Sequence, residues 1–136
     1  MSYNPTYYSK DTEGSFRSLV DIVAHLRSEE GCMWDREQTM ESMKDNLLEE
    51  ADEVIEAIEE KDMNGLCEEL GDLLLQVVFY AQLAREEGLF TIDEVNKQIV
   101  EKLIRRHPHV FADTEVESTE EILSNWEKIK KNEKNI

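Results

Sequence analysis

The sequence predicts an all-α protein, a four-helix-bundle-like domain with an additional C-terminal helix. Three observations carry that expectation. Apolar residues recur at helical spacing in five successive stripes. Only five Gly and two Pro occur among 136 residues, too few for the turns of a sandwich or barrel built from short strands. Charged residues reach 35% against 40% hydrophobic ones, the balance of amphipathic helices with charged outer faces. The length fits one domain, assigned to residues 15–136, behind a polar, Tyr-rich tail over residues 1–14.

The first stripe, Phe16, Leu19, Val20, Val23 and Leu26, predicts a helix over 15–28. Glu29 to Asp35 breaks it, with Gly31 in the middle and Trp34 expected to anchor the segment on the core. Met40, Met43, Leu47, Ala51, Val54, Ile55 and Ile58 predict a second helix over 38–60. Lys61 to Gly65 reads as a short polar turn, the kind that joins antiparallel neighbours. Leu66, Leu70, Leu73, Leu74, Val77, Ala81 and Ala84 form the third stripe, which ends at Gly88. Thr91 to Glu94 reads as a capping box opening a fourth helix with Ile92, Val95, Ile99 and Leu103, stopped by Pro108. Ser118 to Glu121 is a second such box, and the fifth helix carries Ile122, Trp126 and Ile129 before a basic end over Lys128 to Lys134.

The formal net charge of −17 repels a nucleic-acid backbone and argues against a duplex-binding surface. It leaves room for a nucleotide, because carboxylates that hold a divalent metal meet phosphate through that metal. Most of the 32 acids are expected simply to solvate helix faces. Cys32 and Cys67 make neither a C-x-x-C pair nor a zinc cluster, and are read as reduced thiols. The tail lacks the apolar core of a signal peptide, and no run is apolar enough to span a membrane. A soluble, cytoplasmic protein is expected.

The informative acids are Glu49, Glu50 and Glu53 on the second helix and Glu69 and Asp72 on the third. At about 100° per residue, Glu50 falls just off its apolar stripe with Glu53 further round, and Glu69 and Asp72 repeat the offset in the same sense. Two antiparallel helices are related by a local two-fold axis, which makes flanks of the same sense face each other. Glu50/Glu53 and Glu69/Asp72 should therefore converge at one seam, each pair stacked by its i, i+3 spacing. Four carboxylates so placed repel one another, and a hard divalent cation with oxygen ligands offsets that repulsion. The lack of an E-x-x-H pair argues against a helical-bundle di-iron site. The bland alternative is a set of ordinary exposed acids on acidic helices.

Leu48-Glu49-Glu50-Ala51-Asp52-Glu53 followed by Glu68-Glu69-Leu70-Gly71-Asp72 resembles the E-E-x-x-E … E-x-x-D signature of the MazG nucleoside triphosphate pyrophosphohydrolases. Gly31-Cys32-Met33-Trp34-Asp35 is similar to that family's G-C-P-W-D segment, with Met33 in place of Pro, a departure that bears on the local loop conformation. Lys102-Leu103-Ile104-Arg105-Arg106-His107-Pro108-His109-Val110-Phe111 resembles its K-L-x-R-R-H-P-H-V-F segment, and Trp126 to Lys130 its W-x-x-I-K element. The resemblance covers residues 15–131 in family order.

It implies an all-α bundle associating into dimers or tetramers, and Mg2+-dependent cleavage between the α and β phosphates, with Mn2+ as a substitute ion. Carried over by position, Glu50, Glu53, Glu69 and Asp72 are the implied metal ligands. Glu49 would touch a second metal or help orient and deprotonate water, and Glu49 and Glu53 are the implied catalytic pair. Lys102 and Arg106 would contact substrate phosphates. Trp126 would pack on base or ribose, and Lys130 would add a positive charge. The best-known relatives hold two such domains, so activity here is expected to depend on this one.

Other residues carry weaker signals. His107 and His109 flank Pro108 and read as helix-end packing, His25 as structural or idle, and Arg105 as a surface charge. Two other readings stay open: a related all-α hydrolase restricted to dUTP, dCTP or phosphoribosyl-ATP, and a non-catalytic helical interaction module.

Overall fold

A computed structural model describes residues 15–134, so the polar tail over 1–14 lies outside the described residues. Every regular element among them is a helix: α1 (Phe16–Leu26), α2 (Met33–Glu37), α3 (Lys44–Glu59), α4 (Met63–Glu86), α5 (Ile92–Arg106), α6 (Pro108–Phe111) and α7 (Thr119–Lys134). The all-α expectation holds. The chain divides into two compact units, one ending at Ile92 and one beginning at Asp93.

In the first unit α4 is the central element, packed most extensively against α3 and also against α1. Its buried face carries Val78, Phe79, Ala81, Leu83 and Ala84, which meet Val20 and Val23 of α1 and Val54 and Ala57 of α3 in the core. Arg27 staples the loop after α1 to the far end of α4. Its Nε and Nη2 donate to the Glu86 carboxylate, each at 2.8 Å, and its Nη1 donates to the Asp35 and Gln38 carbonyls. The same guanidinium lies 5.6 Å from the centre of the Phe79 ring, a favourable cation–π placement. Glu86, bonded to Arg27, has its carboxyl held below the usual range.

Local chemistry moves three boundaries away from the periodic pattern. The segment expected to break the first helix holds the short α2. Gly31 is required there because a Cβ would sit 2.1 Å from the Leu26 carbonyl oxygen, which Cys32 N–H caps at 2.8 Å. The helix expected from residue 38 begins only at Lys44: Thr39 and Ser42 bond each other's backbone N–H, at 2.8 and 3.1 Å, a local arrangement that competes with helix. The turn expected at Lys61 to Gly65 instead occupies Glu60 to Asp62, because Asp62 caps α4 by accepting from Gly65 N–H.

That turn is a Schellman motif. Asp62 N–H bonds Ala57 O at 3.0 Å and Lys61 N–H bonds Ile58 O at 3.2 Å, with Lys61 left-handed at φ 57°. The end of α4 repeats the motif through Leu89 to Ala84 and Gly88 to Arg85, with Gly88 at φ 70° supplying the conformation without a Cβ penalty.

Two packing expectations need correcting. Trp34 is 54% exposed and does not anchor its loop on the core; the Arg27 staple does that work. Ile55 and Ile58 of α3 and Leu70, Leu74 and Val77 of α4 are exposed, although periodicity placed them in the buried stripe. Among the described residues the apolar stripes are wider than the face each helix buries, and the surplus residues stay exposed.

In the second unit α5 and α7 are joined by side chains. Ser118 caps α7 by accepting from Glu121 N–H at 3.2 Å, whereas the Glu121 carboxylate reaches back to Glu117 N–H rather than closing the expected box on Ser118.

Candidate active site

The three-residue turn at Glu60 to Asp62 folds α4 back along α3, and the register that results sets the site. Glu50 and Glu53 project from α3, Glu69 and Asp72 from α4. One carboxylate oxygen from each lies within 4.8 Å of the others. The i, i+3 spacing on each helix, with matching offsets from the apolar stripes, brings these four together as the sequence predicts. All four are half-buried, while Glu49 faces out beside them and is exposed.

The electrostatics of this seam are those of uncompensated negative charge. Among the described residues no Lys, Arg or His forms an ion pair with any of the four. Glu50 Oε2 and Glu69 Oε2 are shut off from solvent and have no hydrogen-bond partner. The adjacent Glu53 carboxylate, with which a protonated Glu69 can share a hydrogen bond, raises Glu69 to about 7, and desolvation adds to this. Glu50 is raised as well, first by desolvation and then by the charges of Glu53 and Asp72. Orphaned oxygens that are reluctant to ionise mark a place where positive charge is wanted. The donor set is all oxygen, on rigid helices, and fits a hard divalent cation. It does not suit a soft metal, because neither thiol is part of it; both cysteines are free, Cys32 half-buried and Cys67 exposed.

The sequence also points to residues of the second unit, which has its own internal order. Lys102 is exposed on α5. Arg106, one turn on, is half-buried and donates through Nη2 to Glu133 of α7 at 2.9 Å. Trp126 is half-buried, with Nε1 enclosed and unpartnered, and its ring centre is 6.0 Å from that of His107. Lys130 is partly exposed, its Nζ 3.7 Å from Glu127, a contact too open to fix it. His107 and His109 behave as the packing pair expected of them, their ring centres 5.6 Å apart and His107 Nδ1 2.6 Å from the Leu103 carbonyl. Arg105 is more than a surface charge, because its Nε donates to Glu133 at 2.6 Å. Glu133 itself had no signal in the sequence; it sits inside a run of lysines and resembles any exposed helical acid.

The model of the MazG nucleotide pyrophosphohydrolase domain matches residues 38–111, a span that contains all four seam carboxylates. The chain belongs to the MazG family. This MazG chain is 57% identical over 119 residues to the nucleoside triphosphate pyrophosphohydrolase/pyrophosphatase MazG of Thermotoga maritima, covering 88% of this chain and 45% of that one. It is 51% identical over 120 residues to the uncharacterized protein YabN of Bacillus subtilis, covering 88% of this chain and 24% of that protein. It therefore spans less than half the length of these curated relatives. The crystal structure of a mazG-related protein from Thermotoga maritima superposes with a TM-score of 0.71 at 30% identity, covering 85% of this chain and 98% of that one.

Proposed function

We propose that this MazG chain is a Mg2+-dependent nucleoside triphosphate pyrophosphohydrolase, cleaving NTPs or dNTPs between the α and β phosphates to give the monophosphate and pyrophosphate. The observation that carries the reading is the seam itself: four half-buried carboxylates within 4.8 Å, two with orphaned oxygens, in a region matched by a family named for this chemistry. Glu50, Glu53, Glu69 and Asp72 hold the cation, Mg2+ first and Mn2+ as its substitute. When bound, that ion supplies neutralisation of phosphate charge and a more acidic water.

The chain's own residues do the remaining work. Glu49 and Glu53 orient the attacking water and accept its proton. Lys102 and Arg106 meet the phosphate oxygens, Lys130 adds charge, and Trp126 packs against base or ribose. Phosphoryl transfer needs positioning and electrostatic stabilisation more than covalent help, and that is what such a set offers. The role is clearance of canonical or damaged nucleotides in the cytoplasm. We assign the exposed apolar residues Ile55, Ile58, Leu70, Leu74 and Val77 to contact with further copies of the chain, as a dimer or tetramer.

The test is a panel of the common NTPs and dNTPs incubated with Mg2+, with both products identified. Monophosphate and pyrophosphate in equal amounts are expected, with turnover abolished in E53A and D72A at unchanged helical content. No product from any nucleotide removes the enzyme reading; orthophosphate in place of pyrophosphate moves the cleaved bond.

A further inference from the structure

Arg105 and Arg106, the last two residues of α5, are both held by one side chain of α7. Arg105 Nε donates to one oxygen of Glu133 at 2.6 Å, and Arg106 Nη2 donates to the other at 2.9 Å. The side chain of Arg105 is 48% exposed, whereas those of Arg106 and Glu133 are only 18% and 20% exposed. The bonds from Arg106 and then Arg105 hold the Glu133 carboxyl down at about 2, so it is fully ionised at neutral pH.

The geometry at Arg106 is one-sided. Nη2 is committed to Glu133, while Nε is enclosed and has no hydrogen-bond partner. Trp126 Nε1, on the helix that carries Glu133, is enclosed and unpartnered too. A buried donor without an acceptor is costly, and two in one helix pair call for a ligand rich in acceptor oxygens. A free arginine side chain has many rotamers to lose when it meets such a ligand. A carboxylate that already grips one end of the guanidinium removes most of that loss before binding.

We propose that Glu133 is the positioning residue for a phosphate-contacting arginine: it anchors Arg106 through Nη2 and so holds the guanidinium in place for a phosphate oxygen, while Arg105 braces the carboxylate from the other side. The inference rests on the reading of Arg106 as a phosphate contact. Glu133 does not itself touch substrate; it acts through Arg106.

A double-mutant cycle separates positioning from simple stapling of α5 to α7. With Mg2+ and the nucleoside triphosphate that turns over fastest, E133A should raise KM about tenfold, the loss expected when one charge-assisted contact is no longer held in place. E133D, which keeps the charge, should recover part of that loss. In the R106A background, adding E133A should cost nothing further in kcat/KM, because the group it positions is gone. A staple would instead lower Tm and leave KM unchanged. Should E133A lose helical signal, the same cycle is read with E133Q. Additive losses, or wild-type KM in the Glu133 variants beside an impaired R106A, overturn the positioning role and leave the phosphate reading standing. Wild-type kinetics in R106A, or no turnover in the wild type, overturn the phosphate reading and this inference with it.

Discussion

Removing one charge from the acidic seam should stabilise the metal-free protein and destroy what the seam is for. Glu53→Gln is the sharpest choice, because Glu53 stands beside Glu50 and Glu69 and its shape is preserved by the amide. At 4.8 Å, the outer limit of separation in the cluster, two like charges in water repel by about 0.9 kcal/mol. For half-buried residues the water value is the floor of this repulsion. Counting Glu50 and Asp72 as the charged neighbours gives roughly 2 kcal/mol of relief; Glu69, raised to about 7, is partly protonated at neutral pH and is left out. Solvent screening trims this to about 1–2 kcal/mol. For a unit of this size, that is a rise in Tm of roughly 4–8 °C per kcal/mol. The assay is thermal unfolding by circular dichroism in EDTA and again in millimolar Mg2+. E53Q should melt higher than wild type in EDTA, and Mg2+ should raise the wild type by more than it raises E53Q. Equal melting in EDTA, or no response of the wild type to Mg2+, would refute the claim that these carboxylates repel across a cation site.

Three further outcomes follow from the packing. Lys61 occupies the left-handed position of a Schellman turn that Gly88 fills elsewhere, so K61G should stabilise by about 1 kcal/mol and G88A should destabilise by a similar amount in urea melts. Phe79 is 2% exposed at the centre of the first unit, so F79A should cost about 3–5 kcal/mol by the same measurement. Glu86 and Glu133 have folded carboxyls below their ordinary values, so the stability each contributes is complete above an unfolded value of about 4.3 and is lost as pH falls toward the folded values. The acid limb of stability against pH should therefore lie below about pH 4.3 and become shallower in an E86Q variant.

The site was more legible in the sequence than the packing around it. The convergence of Glu50, Glu53, Glu69 and Asp72 follows from helical rotation and one short turn, two features that do not depend on side-chain detail. Helix boundaries depend on it heavily, and there periodicity misleads. Thr39 and Ser42 delay α3 to Lys44, and Asp62 starts α4 at Met63, through local hydrogen bonds that an apolar stripe does not register. Trp34 looked like an anchor because it is large and apolar, yet the donors of Arg27 secure that loop and leave the indole outside. Leu70, Leu74 and Val77 obey the helical period and are exposed, since period reports which residues share a face and not whether the chain itself covers it. Glu133 was hidden for a different reason. Its importance lies in contacts 27 and 28 residues away, and nothing in a single lysine-rich helix announces them.

A titration of the protein with Mn2+, followed by the electron paramagnetic resonance signal of the free ion, most directly questions the acidic seam between α3 and α4. Saturable uptake is expected, competed away by Mg2+ and removed in D72N or E50Q. Uptake that is equally strong in those variants, or no uptake at all by the wild type, would contradict it.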